Sequence, residues 1–190
     1  MTTPINNHTD ASSKPDNSTT PLFATDYNVY INHTDAGGIV YHANHLVFFE
    51  NCRRDWFTHL GVNGYFLQSD HGDIQHFVVS QADLHYKKAI LLDEVINVRI
   101  DKVELKPASM IFYQSIHRHL PDNNATSKAN ESLLSRAKIV IACVQNQVKP
   151  DPVSKDDNAA AYNAPMRPIR VPRALHDAIQ NAITQQTHKK

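Results

Sequence analysis

Apolar residues along the chain change their spacing as the sequence is read. Over residues 23–32, Tyr27, Val29 and Ile31 alternate with Asn28, Tyr30 and Asn32, a period of two that predicts a strand. Gly37-Gly38 breaks the run and demands a turn or loop. Over residues 44–60 the spacing becomes three or four: Leu46, Phe49, Arg53, Trp56 and Leu60, with Val47, Phe48, Cys52 and Phe57 beside them. This predicts a long helix, apolar around much of its circumference and therefore central. Gly61 and Gly64 should end it. Four strand-like runs follow, at residues 76–86, 94–105, 109–119 and 133–145, with Val98/Ile100 and Ile139/Ile141 at the alternate positions of a half-buried sheet. Leu175, Ile179 and Ile183 share one stripe and predict a closing helix over residues 171–186.

A strand, a long helix and then four strands favour an α+β fold with an antiparallel sheet around the helix. A single open sheet leaves an edge, so a homodimer or tetramer is expected. Three stretches fall outside the pattern. Residues 1–21 are rich in Thr, Ser, Asn and Pro and have little to bury, which predicts a disordered polar tail. Residues 121–132 form a polar loop. Residues 149–170, with Pro150, Pro152, Pro165 and Pro168, read as a crossing linker. A chain of 190 residues then leaves one folded domain over 22–187.

Charge and motifs narrow the chemistry mainly by exclusion. Lys+Arg and Asp+Glu number 19 each, so no global field recruits nucleic acid or a membrane surface. Cys52 and Cys143 stand alone within apolar runs, as buried free thiols of a reducing compartment do. The first residues lack a basic stretch followed by an apolar one, and no apolar run has the length of a membrane span, so a cytoplasmic protein is expected. GxSxG, Walker A, GxGxxG and HExxH are all missing. His42 and His45 form an HxxH, but no carboxylate or third ligand accompanies them, and no metal site is expected.

The pentapeptide NHTDA occurs twice, at residues 7–11 and 32–36. The first copy lies in the polar tail, with nothing to orient Asp10. The second stands between a strand and a helix start, where unpaired backbone N–H groups carry partial positive charge, and two glycines let the backbone approach a ligand. Asp35 would then sit beside an anion site made by the amides around Tyr41 and His42. A carboxylate next to an oxyanion hole suits acyl transfer. Equally, Asp35 could cap its own turn, as Asx residues do. Spacing alone leaves both open.

The stretch TDAGGIVYHANHLVFFENCR resembles the signature of hotdog-fold acyl-CoA thioesterases of the hydroxybenzoyl-CoA thioesterase type, and is most similar to the bacterial Tol–Pal-associated branch. FVVSQADLHYKKAILLDEV and SRAKIVIACV extend the resemblance. It implies a hotdog fold and hydrolysis of an acyl-CoA, with coenzyme A as part of the substrate and no separate cofactor. Acyl carrier protein is a possible second source of the acyl group. Asp35 takes the position of the catalytic carboxylate, and the His42 N–H that of the donor to the thioester carbonyl. Gly38, Tyr41, Asn44 and His45 would line the site, and Glu50 and Arg53 match helix positions of structural or subunit-contacting type. The chain departs from the family where His33 replaces an acidic residue, where His45 replaces tyrosine, and where Ala89-Ile90-Leu91 replaces a Pro-Ala-Arg run. Lys87 and Lys88 could supply the cationic contact to coenzyme A that the last change removes; solvated lysines at a strand end are the other reading. A hotdog dehydratase using His42 with Asp35, or a non-catalytic acyl-thioester binder, would share the same fold.

Overall fold

The computed structural model describes residues 20–62, 67–68, 74–118, 132–146 and 166–188. Their elements are β1 (Phe23–Asn28), a 3-10 turn (Ile31–His33), α1 (Asn44–His59), β2 (Leu67–Gln68), β3 (Ile74–Tyr86), β4 (Val95–Lys106), β5 (Ser109–Arg118), β6 (Leu133–Asn146), β7 (Met166–Pro168) and α2 (Arg173–His188). The strands form one antiparallel sheet in the order β1-β4-β5-β6-β3-β2, and β7 pairs with the end of β6. Residues 1–19 of the expected tail, 121–131 of the expected 121–132 loop and 149–165 of the linker lie outside the described residues.

Alternation determines which way the sheet faces. Ile96, Val98 and Ile100 of β4, Met110, Phe112 and Ile116 of β5, and Ile139, Ile141 and Cys143 of β6 are all buried. Against this face lies the stripe of α1 formed by His45, Phe48, Phe49, Cys52, Arg53, Trp56 and Phe57. Trp56, Phe57 and Phe112 meet ring to ring, with centroids 5.9–6.2 Å apart. Val171, just before helix α2, and Leu175 and Ile179 within it close the same core. Both thiols are free and buried, as expected, and burial pushes Cys52 up to about 12.

Three expectations need correction. The first strand stops at Asn28 rather than continuing to residue 32. Beyond it, the His33 Nδ1 accepts the Tyr30 N–H (2.9 Å) and the Thr34 hydroxyl donates to the Ile31 carbonyl (3.0 Å). These local bonds replace a ladder and leave Ile31 71% exposed despite its place in the alternation. Helix α1 is not apolar all round: Leu46 and Val47 are exposed, as are Arg54, Asp55, Thr58 and His59, because the sheet covers only one side. The linker also holds β7, where Met166–Pro168 pairs with Val144–Asn146. The helix end follows expectation. Gly61 takes φ 70°, and the Gly61 and Val62 N–H groups donate to the Thr58 and Phe57 carbonyls (both 3.0 Å), a Schellman closure. Gly64 lies outside the described residues.

Candidate active site

A small hairpin carries the motif. Thr34 bridges Val40, the Tyr41 N–H donates to the His33 carbonyl (3.0 Å), and the Asp35 N–H donates to the Ile39 carbonyl (2.8 Å). Asp35 therefore opens the turn. Its Oδ1 accepts the Gly37 N–H at 2.8 Å and the Ile39 N–H at 3.3 Å. The carboxylate does cap its own turn, and the two roles weighed from the sequence are compatible. One oxygen anchors the group, and Oδ2 takes no hydrogen bond among the described residues, on an exposed side chain. Gly37 makes this possible, since a Cβ there would come within 3.2 Å of Oδ1. Gly38 turns the chain at φ 73°, with nothing near its missing Cβ. Gly38→Ala should therefore cost about 1 kcal/mol through backbone strain alone, read as a lower denaturant midpoint with unchanged slope.

The hairpin is stitched to a distant segment. The Val40 N–H donates to the Ile90 carbonyl, the Leu92 N–H donates to the Gly38 carbonyl (both 2.9 Å), and Ile39 bridges Leu91. Ala89-Ile90-Leu91 thus braces the loop that bears Asp35, and Ile90 is fully buried. Arg118 of β5 donates to the Ala89 carbonyl (2.8 Å) and pairs with Glu94 (2.9 Å). Sequence reasoning missed this guanidinium, which lies 29 residues from the segment it holds.

The hairpin then runs into α1. Because the Tyr41 N–H is bonded to the His33 carbonyl, it is not available to an oxyanion, and the expected pair of amides reduces to those starting at His42. Ala43 is the N-cap and offers no side chain to the helix amides. The Asn44 amide donates instead to the His33 carbonyl (2.8 Å), which ties the helix start to the hairpin. Tyr41 and His42 are exposed, with ring centroids 4.3 Å apart. His42 and Asp35 make no hydrogen bond to each other among the described residues; the same hairpin presents both.

His45, expected at the site's entrance, is buried to 4% exposure. Its Nδ1 shares a 3.0 Å hydrogen bond with Ser135, and its ring stands edge-on to Tyr86 at 4.9 Å. Tyr86 donates to the His42 carbonyl (3.1 Å). Neither Ser135 nor Tyr86 is conspicuous in the sequence. Lys87 and Lys88 are exposed just beyond β3, with both backbone N–H groups on the Leu134 carbonyl, and the Lys88 ammonium donates to Ser132 (2.7 Å). His33 acts as an acceptor, taking the Tyr30 N–H through Nδ1. The HxxH pair diverges, with His42 exposed and His45 turned to Ser135. The described residues hold no group of three or more His, Cys, Asp or Glu suited to a metal.

Burial, and next the neighbouring His42, lower His45 from 6.5 to about 4. Between these values the unfolded chain binds a proton that the folded one refuses, so stability falls as pH drops from about 6.5 towards 4 and levels off below. The full difference is about 3 kcal/mol. Urea unfolding at pH 7 and pH 4.5 should show this loss, and His45→Gln should remove His45's share of it.

An antiparallel sheet holding a helix on one face, with the motif hairpin at the helix start, is a hotdog fold, and the family and the curated relatives give its class as a thioester hydrolase. The chain belongs to the thioesterase-like superfamily, whose family model matches residues 29–182. It is 32% identical over 142 residues to the acyl-CoA thioesterase YbgC of Haemophilus influenzae, covering 74% of this chain and 95% of that protein. To the acyl-CoA thioester hydrolase YbgC of Escherichia coli it is 28% identical over 125 residues, 66% and 84% of the two chains. Among solved structures, a probable thioesterase from Bartonella henselae superposes with TM-score 0.56 at 25% identity, over 70% of this chain and 98% of that one. The 4-hydroxybenzoyl CoA thioesterase of Pseudomonas gives 0.57 at 16% identity, over 83% and 96%, a likeness of fold.

Proposed function

We propose that the protein hydrolyses an acyl-CoA, or a related acyl thioester such as one on acyl carrier protein, to the free acid and the thiol. The observation that carries this is the anchored carboxylate. Two backbone amides hold Asp35 Oδ1 and leave Oδ2 open, on a hairpin that leads into an uncapped helix start. The curated relatives named as acyl-CoA thioesterases support the substrate class. Membership of the bacterial Tol–Pal-associated branch is part of this reading, which rests there on the motif.

A thioester needs little acid catalysis, because a thiolate leaves readily. It does need a nucleophile and a place for negative charge. In one route Oδ2 attacks the carbonyl carbon, the C–S bond breaks with the pair leaving on sulfur, and water hydrolyses the mixed anhydride to regenerate Asp35. In the other, Asp35 takes a proton from the attacking water. Either way the His42 N–H faces the oxyanion, a donor whose loss typically costs about 3 kcal/mol. Gly38, Tyr41 and Asn44 shape the surroundings, His45 supports them from beneath, and Lys87 and Lys88 offer cations to the coenzyme A phosphates. The reaction uses no group beyond substrate and water.

Two subunits would complete the assembly. Among the described residues β3 pairs with β2 only at Ile74 and Gln75, so its outer edge is open from His76 to Tyr86. Val79 and Tyr86 are exposed along it. Sedimentation should give twice or four times the chain mass. The described residues include no helix long and apolar enough to cross a membrane, and a cytoplasmic location belongs to the proposal.

Thiol release measured over a panel of acyl chain lengths tests activity and substrate together. Binding of the panel without thiol release would refute hydrolysis and leave a non-catalytic binder. Hydration of an enoyl-CoA would assign a dehydratase instead.

A further inference from the structure

We propose that Tyr86 is a positioning residue for thioester hydrolysis, its hydroxyl holding the His42 peptide and the first turn of α1 in place. This rests on the functional reading above, in which the His42 N–H receives the oxyanion.

The argument begins with what the helix start lacks. A Ser, Thr, Asp or Asn at the N-cap fixes the first turn by accepting its free amides. The proposed oxyanion donor, the His42 N–H, lies one residue before the N-cap and is not among the amides such a cap would hold. Ala43 at the N-cap supplies no side-chain cap, and the Asn44 and Leu46 N–H groups turn to the Tyr41 and Ala43 carbonyls instead (2.8 and 3.0 Å). Order must then come from the carbonyl side of the turn. Two bonds provide it: Asn44 donates to the His33 carbonyl (2.8 Å), and Tyr86 donates to the His42 carbonyl (3.1 Å).

Tyr86 is itself fixed. It is the last residue of β3 and lies directly across from Ser135 of β6. Ser135 holds the His45 imidazole at 3.0 Å, and that ring meets the Tyr86 ring edge-on, with an interplanar angle of 85°. Helix start, β3 and β6 are therefore joined by Tyr86, His45 and Ser135. His45 and Ser135 are buried, whereas Tyr86 is half exposed and its hydroxyl could be satisfied by water. Removing the hydroxyl should therefore loosen the turn without opening a buried defect.

Tyr86→Phe keeps the ring and its contact with His45. In this variant kcat for an acyl-CoA should fall about tenfold, with KM within twofold and an unchanged melting temperature. By NMR, the Asn44 and Leu46 amides, bonded to the Tyr41 and Ala43 carbonyls, should exchange with solvent about tenfold faster. Unchanged kcat in an active enzyme overturns the inference, as does a raised KM at constant kcat, which would make Tyr86 a substrate contact. A loss of kcat with unchanged exchange overturns it too, since Tyr86 would then act on the substrate directly. If the wild-type protein releases no thiol, the hydrolase reading fails, and exchange still decides whether Tyr86 holds the turn.

Discussion

Asp35→Asn should lower kcat for acyl-CoA hydrolysis by roughly 10³-fold or more, about 4 kcal/mol of transition-state stabilisation. The fold should hardly change. An asparagine carbonyl oxygen can still accept the Gly37 and Ile39 amides that Oδ1 now accepts, so the hairpin keeps its turn. What disappears is the charge and nucleophilicity of the second oxygen. Unfolding midpoint and sedimentation should therefore match the wild type, and Asp10→Asn, in the first copy of the pentapeptide, should leave the rate unaltered. A variant retaining more than a tenth of the activity would remove Asp35 from the chemistry. Single turnover in water enriched in oxygen-18 separates the two routes, because label entering the Asp35 carboxylate requires the anhydride.

Arg53→Met should destabilise the protein by about 3 kcal/mol. Arg53 is 3% exposed and bonds Gln114 (2.7 Å) and Glu50 (2.5 Å), with its guanidinium 5.8 Å from the Phe112 ring centre. Gln114, 1% exposed, passes its amide hydrogen to the Phe49 carbonyl (3.1 Å). Without Arg53, the Gln114 oxygen loses its guanidinium donor in an apolar core, a defect costlier than the bond was worth. Replacing Gln114 by Met in the same chain removes that defect and should recover much of the loss. Urea denaturation of the single and double variants gives the coupling. Additive losses would show that the pair does not interact.

The strands at β4, β5 and β6 were legible to within about a residue, because each is ten or more residues long and sends alternate apolar side chains of a central stretch to one buried face. Strands β2 and β7, of 2 and 3 residues, are too short to show a period, and the prolines around β7 argued for a linker. Residues 29–33 misled for another reason. Their alternation is real, but short-range bonds from His33 and Thr34 close a turn instead. The helix was located correctly and given too wide an apolar face, since sequence spacing does not say how many sides a sheet will cover. At the site, the hairpin with Asp35 was readable because its glycines, carboxylate and helix start are contiguous. Tyr86, Ser135 and Arg118 were not, because their bonds cross 44, 90 and 29 residues, and only strand pairing brings those partners together.

The lacing of residues 38–40 to 90–92 makes two distant stretches of sequence one mechanical part. Adding or deleting a residue in either would slide the other's backbone bonds out of register and turn Asp35 away from its present heading. Length changes here would have to come in matched pairs, so grafting either stretch alone from a related enzyme should fail where grafting both together succeeds.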